Sequence, residues 1–351
     1  MFAHLHGVEA SQSGATPVLP SSFLAGLGGV DLFFVISGFI MVWVAGDATP
    51  GWRNAFKFLF ARVTRIYPLW WLFAGAMAAY FWISSGVPWD RELLAQLGVD
   101  GEAHLIKSFF LIPHDALPVL TLGWTLMHEM YFYIVFAFVL VLPRDYRGPV
   151  LMTWAIIVFS AMVTGRTDFY ASTFASLALY PMTLEFLMGA GIGWIVKSGA
   201  NRLAIPALVI GIGMFAIGML TINFTSLDNA LPIQRTLVFG PASALILYAV
   251  AVLEIRRERA AWARPQLVRL GDWSYSLYLG HLLVISAVAQ VFFPLFGMAG
   301  PFDNMIFLIA AGGAAIVVAG LTFAWFERPS LTAARRLRNA LFAAAPRQDS
   351  A

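Results

Sequence analysis

A chain of 351 residues that is 60% hydrophobic and only 12% charged is not an ordinary water-soluble domain, in which about 25% of residues carry charge. Its formal net charge of +3 has the sign expected of basic cytoplasmic loops, and does not by itself point to a nucleic-acid partner. The absence of cysteine excludes disulfides, thiolate catalysis and Cys-ligated metals, and leaves the compartment open.

Residues 1–27 show no uninterrupted apolar core after a basic start, so no cleavable signal peptide is expected. Met1–His6 reads as the tail of a hydrophobic helix whose beginning is missing, followed by a polar loop from Gly7 to Ser22. Apolar runs then predict spans at 28–45, 67–86, 122–142, 150–164, 171–196, 204–221, 236–253, 274–297 and 304–326. Each can cross a hydrocarbon layer of ~30 Å as a helix, although 150–164 must borrow from its flanks. The expected fold is therefore all-α, a polytopic transmembrane bundle of about ten helices with the first one partial. No repeat or soluble module interrupts the series, so residues 1–351 read as one domain, with 327–351 as a basic tail.

Charge asymmetry orients the bundle. If the loop 46–66 is cytoplasmic and sides alternate from there, 18 of the 22 basic residues fall inside, leaving only Arg91, Lys107, Arg166 and Arg235 outside. This separation supports both the span count and a cytoplasmic C-terminus, because one miscounted helix would invert every later loop. The tail arginines are expected to hold that end at the anionic leaflet. The long segment 87–121 lies outside, and its apolar part, Leu105–Pro113, is too short to span and reads as interfacial or re-entrant.

Ionisable groups within spans are costly, and each is a functional candidate until a structural role is found. His4, in MFAHLHG, offers an imidazole suited to take a proton from a hydroxyl near neutral pH, and His6 competes for that role. Asp31, at the outer mouth of its span, either pairs with an Arg or His or simply ends the helix near water. Arg62 and Arg65, in RVTRIYPLWW, share a helix face at the cytoplasmic end of a span and could grip phosphates, though basic residues are expected there in any case. In GWTLMHEMYFY, His128 and Glu129 point about 100° apart, so both cannot face one cleft. Glu129, one turn from Thr125 and Tyr133, is the better bundle-facing candidate, a buried ion pair being the structural alternative. In GDWSYSLYLGH, His281, Tyr278 and Ser274 lie on roughly one face, where interhelical hydrogen bonding would also explain them. Glu185, Arg235 and Glu327 are further buried or mouth-located charges. There is no glycine-rich phosphate loop, nucleophile elbow or metal-ligand spacing, so no metal site is expected.

The series GVDLFFVISGFIM, RVTRIYPLWW, GWTLMHEMYFY, GDWSYSLYLGH and WFERP resembles, in order and over essentially the whole chain, the acyltransferase 3 family of membrane proteins. That family includes O-antigen and exopolysaccharide acyltransferases of bacteria. The resemblance implies a catalytic role for His4, the family's preceding Arg falling upstream of Met1, so the chain is expected to lack the start of its first helix. It further implies that Arg62 and Arg65 engage an acyl-CoA donor, acetyl-CoA above all, and that Glu129 is the family's acidic motif residue. No permanently bound cofactor is implied. The expected partners are acyl-CoA, a carbohydrate or lipid-linked glycan acceptor, and membrane lipids, in the bacterial inner membrane. Asp31, His281, Tyr278 and Arg235 complete the candidate set. A transporter or flippase of lipid-linked sugars is the competing reading, since buried charges suit it too; the two halves show no inverted repeat.

Overall fold

In hydrocarbon every backbone N–H and C=O must find its partner within the protein, which a chain this apolar achieves with helices. The computed structural model describes residues 1–12, 18–19, 24, 26–166, 173–200, 202–222, 230–256, 265–296 and 300–342, and the regular elements among them are all helical. They are α1 (Phe2–Gln12), α2 (Gly28–Ala45), α3 (Trp52–Ser85), α4 (Arg91–Leu97), α5 (Gly101–Phe109), α6 (Gly123–Val141) and α7 (Arg144–Val163). There follow α8 (Phe174–Ala178), α9 (Thr183–Lys197), α10 (Ala204–Thr221), α11 (Ala230–Arg256), α12 (Pro265–Phe296), α13 (Pro301–Thr322), a π-helical turn (Phe323–Glu327) and α14 (Arg328–Leu341). Among the described residues nine helices are long and apolar enough to cross a membrane, α8–α9 and α13–α14 each counting once.

The apolar runs locate these helices better than they bound them. α2 coincides with the expected 28–45, whereas α3 begins at Trp52, fifteen residues before the expected 67. Its first half, RNAFKFLFARVTRI, is amphipathic, so it packs as helix without registering as an apolar run, and Pro68 is accommodated inside it. α11 and α12 likewise start ahead of their apolar runs. The polar loop expected from Gly7 is instead helical to Gln12, because Glu9 turns inward: it is fully buried and accepts hydrogen bonds from the Val18 and Leu19 amides and from Asn304 Nδ2 (3.0 Å). The basic tail continues α13 as α14, whose following residue Phe342 accepts from Arg53 on α3 (2.9 Å). Arg257, Arg259, Arg264 and Arg347, counted with the inner charges, lie outside the described residues.

α2 and α9 cross at a distance only glycine permits. A Cβ on Gly38 would stand 1.9 Å from the Phe186 carbonyl oxygen, and one on Gly189 would stand 1.9 Å from that of Val35. Around this crossing, Phe34 and Phe132 stack on Phe186 with ring centroids 4.6 and 4.4 Å apart. The C-terminal ends of α2 and α6 are joined by Arg147, which is 2% exposed. Its guanidinium donates to the carbonyls of Gly46 (2.8 Å), Ala48 (3.0 Å), Leu140 (2.9 Å) and Leu142 (3.1 Å), supplying donors that helix C-termini lack.

α3 runs antiparallel to α6, with Trp52 against Phe138, Phe58 against Phe136 and Tyr133, and Trp70 against Gly123. It runs parallel to α12, with Tyr275 donating to the Ile66 carbonyl (3.0 Å), Phe73 against Gly280 and Gln290 donating to Tyr80 (2.8 Å). The segment that follows α3 folds back to its middle. Tyr67 donates to the Phe110 carbonyl (2.8 Å), and Trp70 and Trp71 to those of Ser108 and Phe109 (3.2 and 3.0 Å). This segment then leads into α6 through Thr121 and Leu122, which roof the cavity described next.

Candidate functional site

Five helices, α1, α2, α3, α6 and α12, enclose a cavity of about 380 Å³. α1 contributes His4, α3 contributes Arg65, α6 contributes Glu129 and Tyr133, and α12 contributes Tyr278 and His281; Phe33 and Trp124 supply apolar wall. An aromatic wall with a few convergent polar groups is the usual make-up of a small-molecule site.

At one place two imidazoles meet: the rings of His4 and His281 have centroids 5.2 Å apart, tilted by 51°. His281 Nδ1 lies 2.7 and 3.0 Å from the carbonyl oxygens of Tyr278 and Leu277. Tyr278 stacks on Phe33, and its hydroxyl lies 2.6 Å from Thr125 Oγ1 and donates to the Leu122 carbonyl (3.1 Å). His6 is turned away, its Nδ1 bonded to the Leu19 carbonyl (2.7 Å), so of the two α1 histidines His4 is the one lining the cavity.

Elsewhere on the wall stands Glu129, 5% exposed, which accepts from Ser37 Oγ (2.9 Å) and from the Tyr133 hydroxyl. Its neighbour His128 points into the core, against Tyr180 with centroids 4.4 Å apart, as their angular separation on a helix requires. Among the described residues no hydrogen bond joins His4 to Glu129.

Arg62 and Arg65 lie on α3 itself, whose start precedes the apolar run. Because α3 starts at Trp52, Arg62 is ten residues into the helix, about 15 Å from its first residue. Their guanidiniums lie beside Tyr133 and Tyr275, Arg62 half-buried and Arg65 exposed. Among the described residues neither forms an ion pair. The Arg62 guanidinium lies over Phe58 and Tyr133 (5.4 and 5.6 Å), and that of Arg65 over Tyr275 (5.7 Å). Arg62 Nε is buried without a hydrogen-bond partner. Glu129 feels both charges, and Arg65 also acts on Glu327, whose carboxylate accepts from Ser276 (2.6 Å).

The remaining two candidates form a separate centre. Asp31 is fully buried, and its Oδ2 is 2.7 Å from Arg235, which also donates to the Leu27 carbonyl (3.1 Å). The fully buried Glu185 adjoins this pair, and none of the three lines the cavity. The structure thus gathers His4, Arg65, Glu129, Tyr278 and His281 around one space and sets Arg62 one turn along α3. It makes Asp31–Arg235 an ion pair between α2 and α11. Ser37, Tyr133 and Tyr275 are participants that sequence reasoning did not single out. Among the described residues no group of three or more His, Asp or Glu side chains could hold a metal.

Comparison with known proteins places this cavity in context. The family described as "Acyltransferase domain" matches residues 1–324. The "Exopolysaccharide production protein ExoZ" of Rhizobium meliloti (strain 1021) is 33% identical over 333 residues, covering 90% of this chain and 93% of that protein. The "Acyltransferase MdmB" of Streptomyces mycarofaciens is 26% identical over 374 aligned residues, covering 97% of this chain and 90% of that protein. No solved structure matches the chain.

Proposed function

The chain belongs to the acyltransferase 3 family and is a polytopic membrane acyltransferase, and on that premise we propose that it moves an acyl group from acyl-CoA to a glycan hydroxyl. The observation that carries this reading is the cavity itself, which combines a histidine with an unpaired, cavity-lining arginine. Arg65, with Arg62 one turn away, meets ring faces instead of carboxylates, and guanidiniums left free in this way suit the phosphates of a nucleotide-bearing thioester. Acetyl-CoA is the favoured donor, arriving from the cytoplasm, the side to which 18 of the 22 basic residues assign the inner loops and the C-terminus. The membrane is then the bacterial inner membrane. The exopolysaccharide relative supports a surface or exported glycan as the acceptor.

In the proposed reaction His4 takes the proton of the acceptor hydroxyl as that oxygen attacks the thioester carbonyl. The new C–O bond forms, the C–S bond breaks, and the proton passes from His4 to the departing sulfur to give free CoA thiol. Glu129, held by Ser37 and Tyr133, balances the nearby guanidinium charge and orients the groups around the thioester. The test is acyl-CoA consumption by the full chain carrying His4→Ala. Turnover is expected to fall by about 10²–10⁴-fold, the usual contribution of a positioned acid–base group, and unchanged turnover would overturn the assignment.

A further inference from the structure

Among the described cavity-lining side chains, His281 is the one with a buried polar atom that has no hydrogen-bond partner. A carbonyl oxygen can only accept, so the contacts of Nδ1 with the Tyr278 and Leu277 carbonyls fix the proton on Nδ1. Nε2 then carries a lone pair. It is buried, the residue being 3% exposed, and it has no hydrogen-bond partner. A histidine kept only to brace two helices would spend both nitrogens, since a buried polar atom left unpaired is costly and rare. The ring of His4 lies 5.2 Å from that of His281, centroid to centroid, on the same wall.

We propose that His281 is the positioning residue of the site, accepting a hydrogen bond from His4 through Nε2. The bond would hold one His4 nitrogen as N–H toward His281 and leave the other with its lone pair toward the acceptor hydroxyl. This rests on the assignment of His4 as the base. During transfer the hydroxyl proton goes to the free nitrogen of His4 and then to the CoA sulfur, while His281 neither gains nor loses a proton. The backbone carbonyls of α12 play the part that a carboxylate plays for many catalytic histidines: they settle which nitrogen of His281 is the acceptor, and His281 in turn settles the tautomer of His4.

Asparagine and glutamine at 281 separate the two nitrogens. His281→Asn keeps a donor for the Tyr278 and Leu277 carbonyls and deletes the acceptor, whereas His281→Gln can place an amide oxygen near the Nε2 position. Acyl-CoA turnover and thermal unfolding are measured on the full chain in lipid nanodiscs, with His4→Ala alongside. The expected result for H281N is a midpoint near wild type, a kcat about 30–100-fold lower and a KM for acyl-CoA changed less than about threefold, with H281Q recovering much of the loss. A kcat for H281N within about threefold of wild type, with His4→Ala inactive, would overturn the role of His281 and leave His4 standing. Full activity in His4→Ala would remove both. Should H281N not fold, H281Q decides: a kcat less than about tenfold below wild type supports the acceptor, and a loss as large as that of His4→Ala overturns it.

Discussion

Two arginines, Arg147 and Arg65, show how differently this bundle treats a cation. Arg147 is closed in, with its guanidinium meeting four carbonyls at the C-terminal ends of α2 and α6. Arg65 faces the cavity with a tyrosine ring beneath it and no carboxylate within ion-pair distance among the described residues. Both were available to the same crude explanation, that basic residues gather on the cytoplasmic side. The contrast separates a cation that completes the fold from one whose donors remain open to a ligand. The Asp31–Arg235 pair belongs with Arg147, and His281, with its unpartnered Nε2, belongs with Arg65. Of the buried side-chain atoms left without a hydrogen-bond partner among the described residues, His281 Nε2 is on the cavity wall, where a substrate can supply what is missing, whereas others such as Asp31 Oδ1 and Ser243 Oγ lie away from it.

Breaking the closed member should have the largest effect. Arg147→Ala strips the donor from four carbonyls that water does not readily reach, and is expected to cost about 2–4 kcal/mol. The thermal midpoint of detergent-solubilised protein should drop accordingly, and any activity lost should return as far as folded protein is recovered. A midpoint at the wild-type value would mean that the two helix ends are held by other contacts.

How much of this could be read from sequence depended on whether a feature is local. α2 was legible to the residue because GGVDLFFVISGFIMVWVA is one apolar run. The first half of α3 was not, because its apolar residues cover one face of a helix that also carries Arg53, Lys57, Arg62 and Arg65. Missing that half put the arginine pair ahead of a helix that contains it. Contacts between distant positions left no local trace. Glu9 is separated from Asn304 by 295 residues and Asp31 from Arg235 by 204, and nothing near either acid names its partner. Motif order did lead to His4, Glu129 and His281 individually. That the two histidine rings meet, and that Asp31 is occupied elsewhere, is information held only by the packing.

Arg65 provides the matching test at the open end of the comparison. Arg65→Ala removes a guanidinium whose protein contact is one ring face, so the midpoint should move by less than the Arg147 change does, within about 1 kcal/mol. The KM for acyl-CoA should rise by about tenfold or more, the loss of one charge-assisted phosphate contact, and Arg65→Lys should fall between, keeping charge but not the fork. A midpoint loss equal to that of Arg147→Ala, with KM unchanged, would move Arg65 into the structural class.

The smallest effect is expected outside the spans, where His104 and His114 form a pair partway between the two classes. His114 Nδ1 meets the Ile112 carbonyl (2.8 Å), so its proton is there and its Nε2 accepts from His104 Nδ1 (3.0 Å). Burial, reinforced by the charge His114 would carry, pulls His104 down to about 4. Burial also lowers His114, helped by Lys107 and opposed by the Ile112 carbonyl and Asp115. A histidine lowered in the folded state takes up protons less readily there than in the unfolded chain. Its stabilisation is therefore complete above about pH 6.5, declines as the pH falls from there to about 4, and changes no further below that. The thermal midpoint should fall by a few degrees over that window, and His104→Gln should flatten the slope. The first proton can enter at His104 Nε2 without touching the bond; only a proton on His114 Nε2 abolishes the acceptor. Acid should consequently weaken the anchoring of this segment before it opens it, and a midpoint independent of pH between 4 and 6.5 would show that the pair contributes nothing to holding the segment on α3.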